Sequence, residues 1–226
     1  MIKFVNVTKF YSPLTYALRN INFYIRPGEF VSIIGRSGAG KSTIIKILIG
    51  EEKITNGRVI IGDWDISDIR PNEVPALRRQ IGVVFQDFKL LPKKTVYENI
   101  AFALEVVGAT SKKIKSAVPQ LLKIVGLENK ANHWPSQLSA GEQQRIVIAR
   151  SLAHKPKILI ADEPTGNLDS INARDIIELL EKINEFGTTV LLVTHNREIV
   201  NILKKRVITL DHGMIIGDQP RGRYVI

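Results

Sequence analysis

The segment FVSIIGRSGAGKST, residues 30–43, constrains the fold of this 226-residue chain more than any other feature. Its first residues are apolar and predict a buried strand. Glycines follow at positions 35, 38 and 40, and the pattern IIKILIG after Lys41 and Ser42 predicts a helix. A strand, a glycine-rich turn and a helix in this order form a P-loop, whose backbone N–H groups surround phosphates. A glycine-rich turn without a ligand is the alternative, and the strand and helix context favours a nucleotide site.

A P-loop gives specific roles to two of its polar residues. Lys41 would reach the β and γ oxygens of ATP, and the Ser42 hydroxyl would bind Mg²⁺. The residues of this loop expected to contact the nucleotide are Gly35, Arg36, Ser37, Gly38, Ala39, Gly40, Lys41, Ser42 and Thr43.

Apolar runs rich in β-branched residues alternate with longer helical patterns along the chain. The runs lie at residues 58–61, 81–85, 157–162, 188–193 and 206–210. This alternation predicts an α/β fold with a mainly parallel core sheet. Near the N-terminus, IKFVNV and NINFYI alternate apolar and polar residues with no helix between them. They predict an antiparallel strand pair attached to the core.

Residues 88–156 contain no convincing strand and predict an inserted helical lobe. TVYENIAFALEVVG and SKKIKSAVPQLLKIVG both have apolar residues at helical spacing and end at glycine. Pro119 lies inside the second pattern and is expected to kink or interrupt that helix. We expect residues 1–226 to form one domain that carries this lobe.

The stretch KILIADEPTGNLD, residues 157–169, delivers two acids at the carboxyl end of a predicted strand, where open α/β sheets bind ligands. Asp162 could hold Mg²⁺ through water, and Glu163 could orient or deprotonate the water that attacks the γ-phosphate. The alternative is an acid pair favoured by the dipole at a helix N-terminus.

Three further polar or aromatic residues are site candidates. Gln86 and His195 each follow a predicted strand and could reach the same crevice as the P-loop, although either residue alone is usually structural. Tyr11 could stack on adenine. Its alternative is a half-buried ring that packs on the sheet, and Tyr16 is a close competitor for the stacking role.

LSAGEQQR, residues 138–145, is a second predicted helix start that contains a glycine, after that of the P-loop. A helix N-terminus offers free N–H donors and the positive end of a dipole to an anion. Ser139 and Glu142 also have the spacing of a capping box, which would only stabilise the helix. Both interpretations can hold together.

The order of these motifs resembles the ATP-binding-cassette (ABC) ATPases over essentially the whole chain. The resemblance implies a P-loop NTPase fold in which two copies close head to tail around two ATP molecules. By this resemblance Glu163, His195 and Gln86 are catalytic, and Ser42, Gln86 and Asp162 bind Mg²⁺. It implies nucleotide contacts for Tyr11, the P-loop residues, Gln86, Ser139, Gly141, Glu142 and Asp169.

The chain departs from the family pattern at Ala140, where glycine is typical. A methyl group there matters only if the backbone needs a positive φ or a very close approach. We expect hydrolysis to be retained, at a rate that Ala140 can lower.

FQDFKLLPKKTVYENIAFALEVVG, residues 85–108, resembles the cell-division members of the family. ADEPTGNLD and the C-terminal RVITLDHGMIIGDQPRGRY are also similar to theirs. This resemblance implies an FtsX-like integral membrane partner, a peripheral location at the cytoplasmic face of the membrane, and control of cell-wall hydrolysis. The ATPase of a lipoprotein-releasing or macrolide-type exporter is the alternative.

The partner would dock near Phe88–Leu91. There Phe88, Leu90 and Leu91 would form an apolar contact with Lys89, Lys93 and Lys94 around it. An exposed loop fixed by Pro92 is the alternative interpretation of the same residues.

Composition excludes some classes of protein. The chain has no cysteine, so disulfides and thiolate metal sites are excluded and a reducing compartment is expected. No apolar run reaches the roughly 18 residues of a membrane span, and the start lacks the layout of a signal peptide. The net charge of +10 is compatible with nucleic acid, an anionic surface or simple solubility. Because the basic residues are scattered, no specific nucleic-acid partner is expected.

Overall fold

The computed structural model describes residues 1–12 and 15–222, and its α/β architecture confirms the predicted fold class. Contacts divide the chain into two compact units. The first comprises Met1–Arg78 and Asn184–Ile226, and the second comprises Arg79–Ile183. Arg223 and Tyr224, at the end of the C-terminal segment used for the resemblance, lie outside the described residues.

In the first unit the chain forms β1 (Ile2–Ser12), β2 (Thr15–Ile25), β3 (Phe30–Gly35), α1 (Lys41–Leu48), β4 (Asn56–Ile61), β5 (Trp64–Asp65) and α2 (Val74–Arg78). In the second unit follow β6 (Ile81–Val84), α3 (Val96–Val106), α4 (Ser111–Val125), α5 (Ala140–Leu152), β7 (Ile158–Asp162) and α6 (Ser170–Glu185), whose last two residues are assigned to the first unit. The chain then forms β8 (Thr189–Val193), α7 (Arg197–Leu203), β9 (Arg206–Asp211) and β10 (Met214–Gln219) in the first unit.

The N-terminal strands form the predicted antiparallel pair. β1 and β2 pair with Ile2 opposite Ile25, and their sheet has the order β2-β1-β4-β5. The run at 58–61, which the sequence pattern grouped with the parallel strands, belongs to this sheet, with Ile61 opposite Ile2. In β4 Val59 and Ile61 are buried and Ile60 is partly exposed, which is the alternation of a strand with one covered face.

The strand that precedes the P-loop lies inside a parallel sheet. β3 pairs in parallel with β8 on one side and β9 on the other, and β10 adds to β9 in antiparallel fashion. All residues of β3 and β8 are buried, as expected for strands covered on both faces. This packing fixes the end of β3, where the glycine-rich loop starts.

Arg206 ties strands of the first unit together. Its Nε and Nη2 donate to the two carboxylate oxygens of Asp218 at 2.7 Å each. Its Nη1 donates to the Tyr24 carbonyl at 2.7 Å and to Glu29 Oε1 at 3.0 Å. Hydrogen bonds to Asp218 and Glu29 raise the pKa of Arg206, so its charge is stabilised at the start of β9.

The second unit combines two parallel strands, β6 and β7, with helices that have clear start signals. Thr95 and Glu98 form a capping box at the start of α3, and Thr110 caps α4, which ends at Gly126 with φ 71°. A left-handed glycine is a common helix stop. Residues 88–156 hold α3, α4 and α5, and within them the structure has no strand.

Pro119 does not interrupt α4, which runs continuously from Ser111 to Val125. Proline removes the hydrogen bond to the carbonyl four residues earlier, here that of Lys115. Both Pro119 and Lys115 are exposed, so water can satisfy that carbonyl at little cost.

Across the described ranges no helix has both the length and the apolar character required to cross a membrane.

Candidate functional site

The first unit holds the P-loop between β3 and α1. Gly40 is the N-cap of α1 with φ 106°, and a Cβ atom there would lie 2.5 Å from the Ala17 carbonyl oxygen and 2.8 Å from Leu18 Cδ2. Both the conformation and the close approach therefore require glycine. The first turn of α1 has no acidic side chain, so no carboxylate competes there for its free N–H groups.

The Lys41 ammonium lies over the loop that precedes it. Nζ donates to the carbonyl oxygens of Gly35 at 2.8 Å and Arg36 at 3.0 Å. Ser42 is exposed in the first turn of α1, whereas Thr43 is buried. Arg36, Ser37 and Gly38 are exposed and Ala39 is buried. The loop thus presents a cation and an exposed hydroxyl on a fixed backbone.

His195 follows β8 and is exposed, directly before Asn196, which caps α7 by accepting from the N–H groups of Glu198 and Ile199. Tyr11 and Tyr16 are 51% and 44% exposed. Lys9 Nζ lies 4.9 Å from the centre of the Tyr11 ring, and Arg19 Cζ lies 4.7 Å from that of Tyr16. Exposure and cation contacts therefore do not separate the two rings as stacking candidates.

The second unit carries the acidic pair at the end of β7. Residues 158–161 are completely buried and Asp162 and Glu163 are half-buried. Glu163 has φ 47°, in the left-handed region that costs a residue with a Cβ atom about 1 kcal/mol. Such strain, held by the surrounding structure, is typical of functional positions.

The backbone after Gln86 is held by the segment that follows the acidic pair. Asn167 Nδ2 donates to the Gln86 carbonyl at 3.1 Å. A Cβ atom on Gly166 would lie 2.9 Å from Gln86 Nε2, so the side chain of Gln86 lies directly against that glycine. The sequence pattern did not identify Asn167, because its partner is a backbone carbonyl far along the chain.

Ser139 and Glu142 form a complete capping box at the start of α5. The Glu142 N–H donates to Ser139 Oγ at 3.2 Å, and the Ser139 N–H donates to Glu142 Oε2 at 2.8 Å. Lys130 Nζ lies 3.3 Å from Glu142 Oε1. The Ser139 N–H bond and, after it, Lys130 hold the pKa of Glu142 below its usual value. Ser139 and Glu142 therefore form the capping box that their spacing predicts.

Gly141 and Ala140 differ in how much room they have. A Cβ atom on Gly141 would overlap the side-chain amide of Asn172. Ala140 is the first residue of α5, is partly exposed, and is absent from the positive-φ residues. The backbone conformation at position 140 therefore does not require glycine.

Asp169 caps the start of α6. Its Oδ1 accepts from the N–H groups of Ile171 and Asn172 at 2.9 Å each, and its Oδ2 accepts from Asn172 Nδ2 at 2.5 Å. The bonds from Asn172 are the main cause of the lowered pKa of Asp169. Its carboxylate is thus occupied locally in this structure.

Residues 88–91, called the docking segment because the sequence predicts docking there, are held from two helices. Phe88, Leu90 and Leu91 are each partly buried. The fully buried Asn99 accepts from the Leu91 N–H at 2.8 Å and donates to the Leu91 carbonyl at 3.2 Å. Arg150 binds carbonyls of the same segment from α5. Neither residue was identified from the sequence, because their partners are main-chain atoms.

One buried polar side chain of α5 remains outside these roles. Gln144, in α5, is 0% exposed, and among the described residues its side-chain oxygen and nitrogen have no hydrogen-bond partner. In the part of the chain that the structure describes, no group of three or more His, Cys, Asp or Glu residues could hold a metal ion. A metal ion bound to the described residues would therefore have few carboxylate or imidazole ligands from the protein.

The predicted residues are distributed over both units. The first unit carries Tyr11, the P-loop and His195. The second carries Gln86, the acidic pair of residues 162–163, Asp169 and the start of α5.

Known proteins resemble the chain along its whole length. It is 53% identical over 224 residues to the cell division ATP-binding protein FtsE of Bacillus subtilis (strain 168), covering 99% of this chain and 98% of that protein. FtsE of Escherichia coli (strain K12) is 44% identical over 217 residues, covering 96% of this chain and 98% of its own.

Solved structures agree with this relation. A dimeric, post-hydrolysis state of the ATP-binding cassette MJ0796 bound to ADP and Pi has a TM-score of 0.87 at 39% identity, covering 99% of this chain and 100% of that chain. The cbiO1 protein of Clostridium perfringens, part of the ABC transporter complex cbiONQ, has a TM-score of 0.91 at 32% identity. The match covers 97% of this chain and 88% of that chain. Residues 18–166 match the family described as ABC transporter. The chain therefore belongs to the ABC transporter family, as one of its ATPases.

Proposed function

We propose that this ATPase is the FtsE-like subunit of a membrane-associated complex, in which ATP-driven closure of two copies acts on a membrane partner that controls cell-wall hydrolysis. The observation that carries the ATP site is the P-loop, where a glycine-capped helix start is combined with the Lys41 ammonium. The names of relatives at 44–53% identity favour cell division over an exporter.

The P-loop would bind ATP through backbone N–H groups of residues 35–43, with Lys41 moving from the carbonyls of Gly35 and Arg36 to the β and γ oxygens. Tyr11 would stack on adenine. Ser42, Gln86 and Asp162 offer hydroxyl, amide and carboxylate oxygens, which fit a Mg²⁺ ion that keeps several waters and binds phosphates. When bound, Mg²⁺ neutralises charge on the phosphate oxygens.

Hydrolysis would use Glu163, Gln86 and His195. Glu163 accepts a proton from the water that attacks the γ-phosphorus, and the leaving group is ADP. Gln86 helps to place that water, and His195 contacts the γ-phosphate from the end of β8. The left-handed backbone of Glu163 supports this assignment, because backbone strain that the surrounding structure holds is often found at functional positions.

A second copy of the chain would complete each site. The capped N-terminus of α5, with Ser139, Gly141 and Glu142, would meet the γ-phosphate bound by the other copy, and Asp169 would lie near the same interface. Free N–H groups of a helix start attract anions, which supports this role. The dimeric state of the relative MJ0796 supports the same arrangement.

The membrane partner would be FtsX-like and would dock at the docking segment, which places the ATPase at the cytoplasmic face of the membrane. The partly exposed Phe88, Leu90 and Leu91, with the exposed lysines 89 and 93 beside them in the chain, support docking there. Apolar side chains with a rim of lysines suit an amphipathic element of a membrane protein.

Glu163→Gln tests the chemistry. The amide cannot take a proton from water, so turnover should fall at least about 100-fold while ATP affinity stays within a few fold. With Mg-ATP the variant should elute as a dimer in size-exclusion chromatography, and without nucleotide as a smaller species. Normal turnover would remove Glu163 from its role, and an ATP-independent elution volume would contradict the proposed dimer.

Phe88→Asp and Leu91→Asp test the docking segment. Both place a charge in the apolar contact, so co-purification with the membrane subunit should be lost while ATPase activity of the isolated chain persists. Phe186→Asp is the matched control, because Phe186 is 91% exposed and lies outside the second unit. Full binding by both docking variants would contradict the surface. A lipoprotein-release assay with the same complex distinguishes the exporter alternative.

A further inference from the structure

One arginine joins α5 to the docking segment. Arg150 Nη1 donates to the Lys89 carbonyl at 2.8 Å, and its Nη2 donates to the Phe88 carbonyl at 3.3 Å. A guanidinium presents its donors in a rigid planar fork, so one side chain can hold two consecutive carbonyls at once. The conformation of residues 88 and 89 is therefore tied to the position of Arg150.

Both partners in this contact need each other. Arg150 is partly buried, and this burial lowers its pKa, so its charge needs hydrogen-bond acceptors. Lys89 has φ 45°, a left-handed conformation that is unfavourable for a residue with a Cβ atom. The Lys89 ammonium lies 4.1 Å from the centre of the Phe85 ring, which holds the same residue from its side chain.

α5 is a stiff connection between its two ends. Arg150 lies ten positions after Ala140, which corresponds to about 15 Å of helix. The residues between them include Ile146, Val147, Ile148 and Ala149, which are at most 1% exposed. Close-packed interiors transmit displacement instead of absorbing it. A shift of the Ser139 end therefore reaches Arg150.

We propose that Arg150 is a positioning residue that couples the nucleotide-facing start of α5 to the docking segment by holding the carbonyls of Phe88 and Lys89. This inference rests on the proposed function, in which the start of α5 meets ATP and residues 88–91 meet the membrane partner. Engagement of the helix start then changes the conformation that the partner contacts.

Hydrogen–deuterium exchange of the Glu163→Gln protein, with and without Mg-ATP, tests this coupling. In that protein ATP should slow amide exchange at residues 139–143 and change it at residues 88–91, each by at least about fivefold. Adding Arg150→Met, which keeps the aliphatic stem and removes both donors, should leave ATP affinity and protection at 139–143 within twofold. It should abolish the ATP-dependent change at 88–91.

Arg145→Met is the matched control. Arg145 lies on the same helix and also uses two guanidinium nitrogens, but they bind the Val125 carbonyl at 3.2 Å and Asp175 Oδ2 at 3.0 Å. Its loss should leave the ATP-dependent change at 88–91 intact. A merely structural role of Arg150 would alter exchange equally with and without ATP and would leave the difference unchanged.

Arg150→Lys covers the case in which the methionine variant does not fold. Its compact ammonium lacks the fork, so the ATP-dependent change at 88–91 should fall at least threefold. Retention of the full change in Arg150→Lys or Arg150→Met would overturn the inference, as would protection at 139–143 without any change at 88–91 in the parent. Absence of protection at 139–143 in the parent would instead contradict the proposed dimer, and the inference with it.

Discussion

Gln144 is the residue whose environment contradicts its chemistry most clearly. It is fully buried in α5, and within the described ranges neither polar atom of its side chain has a partner. A buried amide without hydrogen bonds loses its solvation and gains nothing in return. Its retention therefore costs stability in this state of the protein.

Replacing Gln144 by methionine should stabilise the protein. The two side chains have similar length, and methionine buries no polar group, so the free energy of unfolding should rise by about 1–3 kcal/mol. Urea denaturation of the wild type and Gln144→Met measures the difference. Gln143→Met is the control, because Gln143 is partly exposed and donates to the Leu138 carbonyl. A lower urea midpoint for Gln144→Met than for the wild type would contradict the claim that the buried amide costs stability.

At this scale the sequence indicated residues with local signatures and missed those with distant partners. The capping box of Ser139 and Glu142 follows from a spacing of three residues. Asn99, Asn167 and Arg150 bind backbone carbonyls of loops. Because every residue has a backbone carbonyl, the sequence does not indicate which one a side chain binds. Their roles required the folded chain.

At the level of elements, α5 depends on its first turn. Ser139 and Glu142 exchange two hydrogen bonds, and Lys130 lies beside the carboxylate. Since the pKa of Glu142 is lowered in the folded protein, ionised Glu142 stabilises the fold. This contribution is complete above the ordinary pKa of a glutamate and is lost as the pH falls through the lowered one.

Glu142→Ala should therefore cost about 1 kcal/mol of unfolding free energy at pH 7, and the cost should shrink below the ordinary glutamate pKa. Urea unfolding of wild type and variant between pH 7 and pH 3 checks this. Glu105→Ala, at an exposed glutamate of α3, is the control and should change little. A cost that grew with acidity would have the wrong sign for a lowered pKa.

Element type was more predictable than element partners. Buried β-branched runs indicated β3, β6, β7, β8 and β9, but the run in β4 pairs antiparallel with β1. Four residues with a single apolar pattern do not specify the neighbouring strand. Pro119 was expected to kink or interrupt α4; the helix is not interrupted, and the exposed position lets water bond the freed carbonyl.

For the whole molecule, the net charge of +10 is the dominant property. Two such chains repel each other at low ionic strength. In the proposed dimer, two ATP molecules would place negative charge at the interface and offset this repulsion. The charge then favours nucleotide-dependent association over association of the empty chains.

The same charge should give only weak, non-specific binding to DNA. At about 150 mM salt the dissociation constant for duplex DNA should lie in the micromolar range or above, should rise steeply with salt, and should not depend on sequence. Fluorescence anisotropy with two unrelated duplexes measures this. Submicromolar binding with a preference for one duplex would contradict the expectation that the charge is scattered.

Gly141 has a consequence for descendants of this chain. Its missing side chain makes room for Asn172 of the same chain, independently of any nucleotide. A lineage that stopped hydrolysing ATP would still be unable to accept a larger residue there without displacing the Asn172 side chain, which donates to Asp169. The presence of this glycine alone would therefore be a poor indicator that a homologue still hydrolyses ATP.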